Sequence, residues 1–129
     1  GQETEWETAC REIREETGRL QKELTEKIFA EVRGKLERYM GTGDYERYLI
    51  AQVRAAKEFA GDDEILIYID PADIDKKNSI AAAANTTVMV SKYGFGGGIR
   101  AVIKSRGILI DQSFETKVKE AAEGFVFHL

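Results

Sequence analysis

Four glycines fall within the five residues Gly94-Phe95-Gly96-Gly97-Gly98, a density that could bring backbone N–H groups around a phosphate. A phosphate cradle, however, joins a strand to a helix, and its commonest form adds Gly-Lys-Ser/Thr. Here the flanking patterns are both strand-like and no such triplet follows, so the loop is read as a flexible connector or bulge. Asp70, Asp73 and Asp75 lie close enough to suggest a divalent cation. They lack the alternating acids, central glycine and terminal glutamate of a calcium loop, and helix capping with dipole compensation accounts for the first two. His128 is the single histidine and penultimate residue, with no partner suggested for general-base work. Cys10 sits on an apolar helical stripe, where a small buried hydrophobe is the default. Ser79, Ser91, Ser105 and Ser113 lie in no Gly-x-Ser-x-Gly setting. No nucleophile, base and oxyanion donor come together, so the expectation is a non-catalytic protein with no cofactor and no metal.

The bulk properties point the same way. The chain has 129 residues, 33% charged and 43% hydrophobic, with a net charge of −4. Residues 1–60 carry 13 acids and 11 bases, and residues 61–129 carry 10 and 8. With no basic stripe, a nucleic-acid surface is not expected. A KH-type RNA module would also need its glycines between two helices. One cysteine excludes an intrachain disulfide and fits a reducing, cytoplasmic setting. No apolar run is long enough for a membrane span, so direct insertion is not expected. Gly1 in place of methionine is read as a processed or added start, with the natural protein continuing upstream.

Residues 1–41 read as a long N-terminal helix and 42–129 as a C-terminal α+β domain. Thr4 and Glu7 form a capping box. Apolar or small residues then recur at Trp6, Cys10, Ile13, Thr17, Leu20, Leu24, Ile28, Val32, Leu36 and Tyr39. Their mean spacing of about 3.7 lies near the 11-residue repeat of right-handed supercoils rather than the heptad value. The outer face offers the pairs Glu7–Arg11, Glu15–Arg19, Glu23–Lys27 and Glu31–Lys35. Gly18 and Gly34 oppose the helix and suggest close approach of another backbone. A helix of this length spans about 54 Å, more than the diameter of the remaining domain. It either packs along its own fold, or antiparallel on a copy, or offers its seam to a partner helix. Trp6, near the free end, favours the partner.

Gly41-Thr42-Gly43 breaks the rod, and Asp44 is expected to cap a second helix to about Phe59, with Tyr48, Leu49, Gln52, Val53, Ala56 and Phe59 inward. Ile65–Ile69 reads as a strand that is central or covered on both faces. Asp70-Pro71-Ala72-Asp73 starts a helix that stops near Asn85. Thr86–Lys92 is a second strand; Ile99–Lys104 and Ile108–Asp111 form a hairpin around Ser105-Arg106-Gly107. Ser113 caps a last helix with Phe114, Val118, Ala121, Ala122 and Phe125 buried. The expected order is α-α-β-α-β-β-β-α.

Order and residues together resemble the E-type stalk subunits of the V/A-type ATPases (ATP synthases), over about Tyr45 to Val126. The resemblance is carried by the strand and proline-acid helix start Tyr68-Ile69-Asp70-Pro71-Ala72-Asp73, by the Gly97-Gly98 strand, and by Asp111-Gln112-Ser113-Phe114-Glu115-Thr116-Lys117-Val118. The family reads Asp-Asn-Thr/Ser-Phe/Leu-x-x-Arg-Leu there, so Gln112, Lys117 and Val118 depart from it. The resemblance implies a non-catalytic peripheral-stalk protein, cytoplasmic and peripheral to a membrane-bound complex. It would pair with a second long-helix stalk protein of the G or H type and attach to the A/B catalytic head. There it would resist rotation, so that ATP hydrolysis or synthesis is coupled to proton or sodium transport. Gly97, Gly98, Asp111, Ser113 and Phe114 are its structural motif; Trp6, Cys10, Ile13, Leu20, Leu24, Ile28 and Val32 are the expected partner-helix interface. The stator proteins of flagellar and type III secretion, which bind and regulate an export ATPase, are similar too: Asp111, Ser113, Glu115 and Thr116 match their Asp-x-Ser-x-Glu-Thr segment. The isolated fragment is expected to dimerise weakly through the same seam.

Overall fold

A computed structural model describes residues 2–124. Helix α1 runs Glu5–Met40, α2 Gly43–Ala60, strand β1 Leu66–Ile69, α3 Lys77–Ala84, β2 Met89–Val90, β3 Gly98–Ile103, β4 Ile108–Ser113 and α4 Phe114–Glu123. Short 3₁₀ turns, Pro71–Lys76 and Lys104–Arg106, lead into α3 and join β3 to β4. The fold is α+β, with a long N-terminal helix and a small mixed sheet in the order expected from the sequence.

Local chemistry explains most boundaries. Thr4 Oγ1 accepts from Glu7 N while the Glu7 carboxylate accepts from Thr4 N, closing the capping box. Asp70 accepts from Ala72 N with Pro71 beginning the turn. Asn85 ends α3 in the left-handed conformation, and Gly107 takes it between β3 and β4. Three details differ from the sequence reading. Thr42, not Asp44, occupies the N-cap of α2; Asp44 lies in the first turn and pairs with Arg47. The second strand shrinks to two residues, because only Met89 and Val90 pair with β1. On α1, Glu7 is held by the cap, so Arg11 pairs with Glu3 and Glu15, and Arg19 with Glu16 and Glu23.

The strand order is β2-β1-β3-β4, parallel between β1 and β2 and antiparallel elsewhere. β1 is therefore central, as its unbroken apolar run suggests. Ile67, Ile69, Ile99 and Ala101 point to one face and meet Leu49, Val53 and Ala56 of α2 and Ile80 of α3. The other face is not in this core: Leu66, Tyr68, Arg100 and Val102 are half-buried and Leu109 is exposed. The expectation of cover on both faces thus holds for one, since α2 and α3 share a side.

The inward stripe of α2 is Tyr45, Leu49, Val53, Ala56 and Ala60, all buried. It begins one turn before Tyr48, and Phe59, expected inward, is 54% exposed beneath the Arg106 guanidinium. On α4, Phe114 is buried and Val118 half-buried, while Ala121 faces solvent. Phe125 and His128 lie outside the described residues. Gly18 has nothing within 4 Å of an added Cβ, so no close approach within the chain explains it; at Gly34 only the Arg38 side chain comes near.

Candidate interaction face and the glycine-loop network

The seam of α1 divides in two. Towards its C-terminal end, Ile28 and Val32 are half-buried and Leu36, Tyr39 and Met40 pack against the core. Phe29, which lies beside the expected seam, is buried. Its position one residue past Ile28 turns it towards the domain; the periodicity, followed at single positions, missed it. In the N-terminal half Trp6 is 76% and Ile13 66% exposed, with Leu20 and Leu24 at about 40%. Cys10 is intermediate. At roughly 25 cal/mol per Å² of apolar surface, such a stripe is a standing incentive for a second helix.

The structure brings together Gly97, Gly98, Asp111, Ser113 and Phe114, far apart as two groups in sequence. Gly98 and Ser113 are directly paired across β3 and β4. Gly96, Gly97 and Gly98 all have positive φ, so the chain turns tightly before entering β3. The loop carbonyls then serve α4: Phe114 N donates to Gly97 O at 3.0 Å and Glu115 N to Phe95 O at 3.1 Å. Ser113 Oγ accepts from Thr116 N at 3.2 Å. The first amides of α4 are thus satisfied by the protein itself.

The loop amides are also engaged. Asp70, buried, accepts from Phe95 N at 2.7 Å and Gly97 N at 3.3 Å through Oδ2, and from Ala72 N at 2.9 Å through Oδ1. Gly98 N donates to the Tyr45 hydroxyl at 3.0 Å, which in turn donates to Asp73 Oδ2. A phosphate would meet a carboxylate where it needed free amides, which is the physical reason this loop is no cradle. Asp73 is buried beside Lys76 at 3.5 Å, whereas Asp75 is exposed. Two of the three acids are therefore committed to structural donors. Tyr45, the hub of this network, escaped the sequence reading, although its place one turn before Leu49 extends the inward stripe.

A second polar cluster explains the Asp-x-Ser-x-Glu-Thr segment. Asp111 accepts from Ser113 N at 2.9 Å and from the Thr116 hydroxyl at 2.7 Å. Arg100, directly opposite on β3, places Nε 3.4 Å from Asp111 and Nη2 3.7 Å from Glu115, with its guanidinium over the Phe95 ring. The Nε contact is an ion pair without hydrogen-bond alignment. Between α1, the loop and α4 lies a cleft of about 370 Å³ lined by Leu36, Met40, Gly96, Phe114 and Val118, with Arg33, Glu37 and Glu115 among its polar residues. These groups offer apolar contact and ion pairing rather than nucleophilic chemistry.

Both clusters set limits in pH. Burial raises the Asp111 carboxyl, but hydrogen bonds from Ser113 and Thr116 and the nearby Arg100 outweigh it and hold the group down to about 2. A folded value below the unfolded one stabilises above the ordinary carboxylate range, and that contribution fades as pH falls through 2. Tyr45 is shifted the other way, by burial first and then by its bond to Asp73. Its contribution is complete below about pH 10 and is lost progressively above it, where the unfolded phenol ionises first. Denaturant unfolding followed across pH should show an alkaline decline that Tyr45→Phe flattens. At neutral pH the same variant should lose about 2 kcal/mol, because Gly98 N and Asp73 each lose a buried partner. An unchanged alkaline limb in Tyr45→Phe would remove Tyr45 as its source.

No protein-family model matches the chain, and no curated protein matches it.

Proposed function

We propose that this chain is a non-catalytic peripheral-stalk component of a V/A-type rotary ATPase, of the E type. In this reading α1 pairs with the long helix of a second stalk protein, and the α+β domain binds the outer part of the catalytic head. The stalk then resists torque while a rotor turns, so that nucleotide chemistry elsewhere in the complex is coupled to ion movement. The observation that carries the reading is the apolar seam from Trp6 to Leu24, exposed on α1 and pointing away from the chain's own core. A helix about 54 Å long with such a seam suits a tether loaded along its axis. The Gly97-Gly98 and Asp111–Val118 segments support it further, since the family-like residues form one interlocked unit at the base of the rod.

The test is assembly in the native host. Tagged full-length protein should co-purify with the head proteins and a second long-helix stalk protein. Replacing Leu20, Leu24 and Ile28 together by glutamate should abolish recovery of that stalk protein while the α+β domain keeps its cooperative unfolding. If it is recovered undiminished, the seam is not its docking site. The contacts of Glu115 with Arg100 and of Thr116 with Asp111 favour the second reading, a stator of a flagellar or type III export apparatus. Recovery of an export ATPase in place of the rotary head would establish that alternative.

A further inference from the structure

The charges beside the seam of α1 are sorted by sign. Arg11 and Arg14 directly follow Cys10 and Ile13, and Lys22, eleven residues after Arg11, continues that column. Glu12, Glu16 and Glu23 directly precede Ile13, Thr17 and Leu24 on the opposite flank. An 11-residue period returns each charge to the same azimuth, so the two columns run parallel to the seam. Glu7 interrupts the basic side but is tied into the capping box; Lys27 interrupts the acidic side. Among the described residues, Arg14, Lys22 and Glu12 form no ion pair.

We propose that the isolated chain forms a parallel, in-register homodimer through the N-terminal half of α1. A dyad parallel to two such helices sets the basic flank of each copy beside the acidic flank of the other. An antiparallel pair instead sets basic beside basic and acidic beside acidic, which costs several kcal/mol for like charges in juxtaposition. Trp6, Cys10, Ile13 and Leu24 then face their own counterparts. The same dyad carries the two α+β domains to opposite sides of the rod, because Phe29 and Met40 pack towards the domain on the basic flank. This self-pairing is independent of the stator reading: a chain that fails in native assembly can still dimerise alone, and the reverse.

Purified protein tests it directly. Sedimentation equilibrium should give a dimer whose dissociation constant rises with salt, as screening requires. A short bismaleimide should link the two Cys10 thiols, which only parallel alignment brings together. Arg14→Glu with Lys22→Glu makes both flanks acidic and should weaken self-association by roughly tenfold or more. Glu12→Lys with Glu16→Lys shifts both flanks to basic and should do the same. Mixing the two variants should restore a dimer that the bismaleimide links at Cys10. Circular dichroism shows that each variant is helical, separating lost pairing from lost folding. A wild-type monomer at high micromolar concentration overturns the proposal, as does a dimer that resists Cys10 linkage or a mixture that stays monomeric.

Discussion

Gly98→Ala should be the most damaging small substitution in this protein, losing about 3 kcal/mol or more of folding free energy. Two independent costs meet there. The residue has φ +80, a conformation that costs an L-amino acid about 1–2 kcal/mol. An added Cβ would lie 2.4 Å from Gln112 O and 3.2 Å from Ser113 Cα. Those atoms are backbone of the paired strand, so relief requires β3 and β4 to separate, at a further cost of about 1–3 kcal/mol. Gly97→Ala is the informative control. Its φ is +111, and the new methyl would meet Met40 Cε at 2.9 Å and Phe114 Cδ2 at 3.0 Å. Methionine can swing aside, so only the backbone term of about 1–2 kcal/mol should remain. Urea unfolding of both variants checks the order; equal losses would show that contact with β4 is not what excludes a side chain at Gly98.

Asp70→Ala should cost about 3 kcal/mol, because buried amides left without acceptors carry desolvation penalties of about 1–3 kcal/mol each. Phe95 N and Gly97 N lose the same oxygen, and Ala72 N loses the other. Asp70→Asn separates hydrogen bonding from packing. Its amide has one acceptor oxygen and one NH₂ group, so it can keep the loop or the Ala72 cap, but not both. The loss should be about 2 kcal/mol, with faster hydrogen exchange at the amides left unbound. Since Gly97 O and Phe95 O accept from the first amides of α4, slackening the loop should also fray that helix. Wild-type stability in Asp70→Asn would mean that these donors find water instead.

Much of the fold is legible because its rules are local. The Thr4–Glu7 box, the Asp70-Pro71 start, the Ser113 cap and the Gly107 turn each depend on residues within a few positions. The errors also have local causes. Asp44 is a good cap by type, yet Thr42 holds the extended backbone that precedes the helix. Phe59 fits the helical period but falls at the edge of the sheet, where the stripe has already rotated towards Ala60.

The motif is the harder case. Gly97-Gly98 and Asp111–Phe114 stand out by type, but type alone does not say what they do. Asp70, Tyr45, the glycine loop and the first turn of α4 come from four separate stretches, and their mutual satisfaction exists only once the chain has folded. No periodicity predicts that Asp70 closes the loop against an anion, or that Arg100 lies across from Asp111.

What the amino-acid order determined by itself is the set of elements and the apolar and charged columns of α1, because helical and strand periods are properties of the chain alone. What only the tertiary structure decided is which columns stay open and which polar groups are already taken. Exposure and hydrogen-bond satisfaction depend on residues distant in sequence, so they acquire a value only when α1 leaves the domain behind and the glycine loop meets Asp70 and α4.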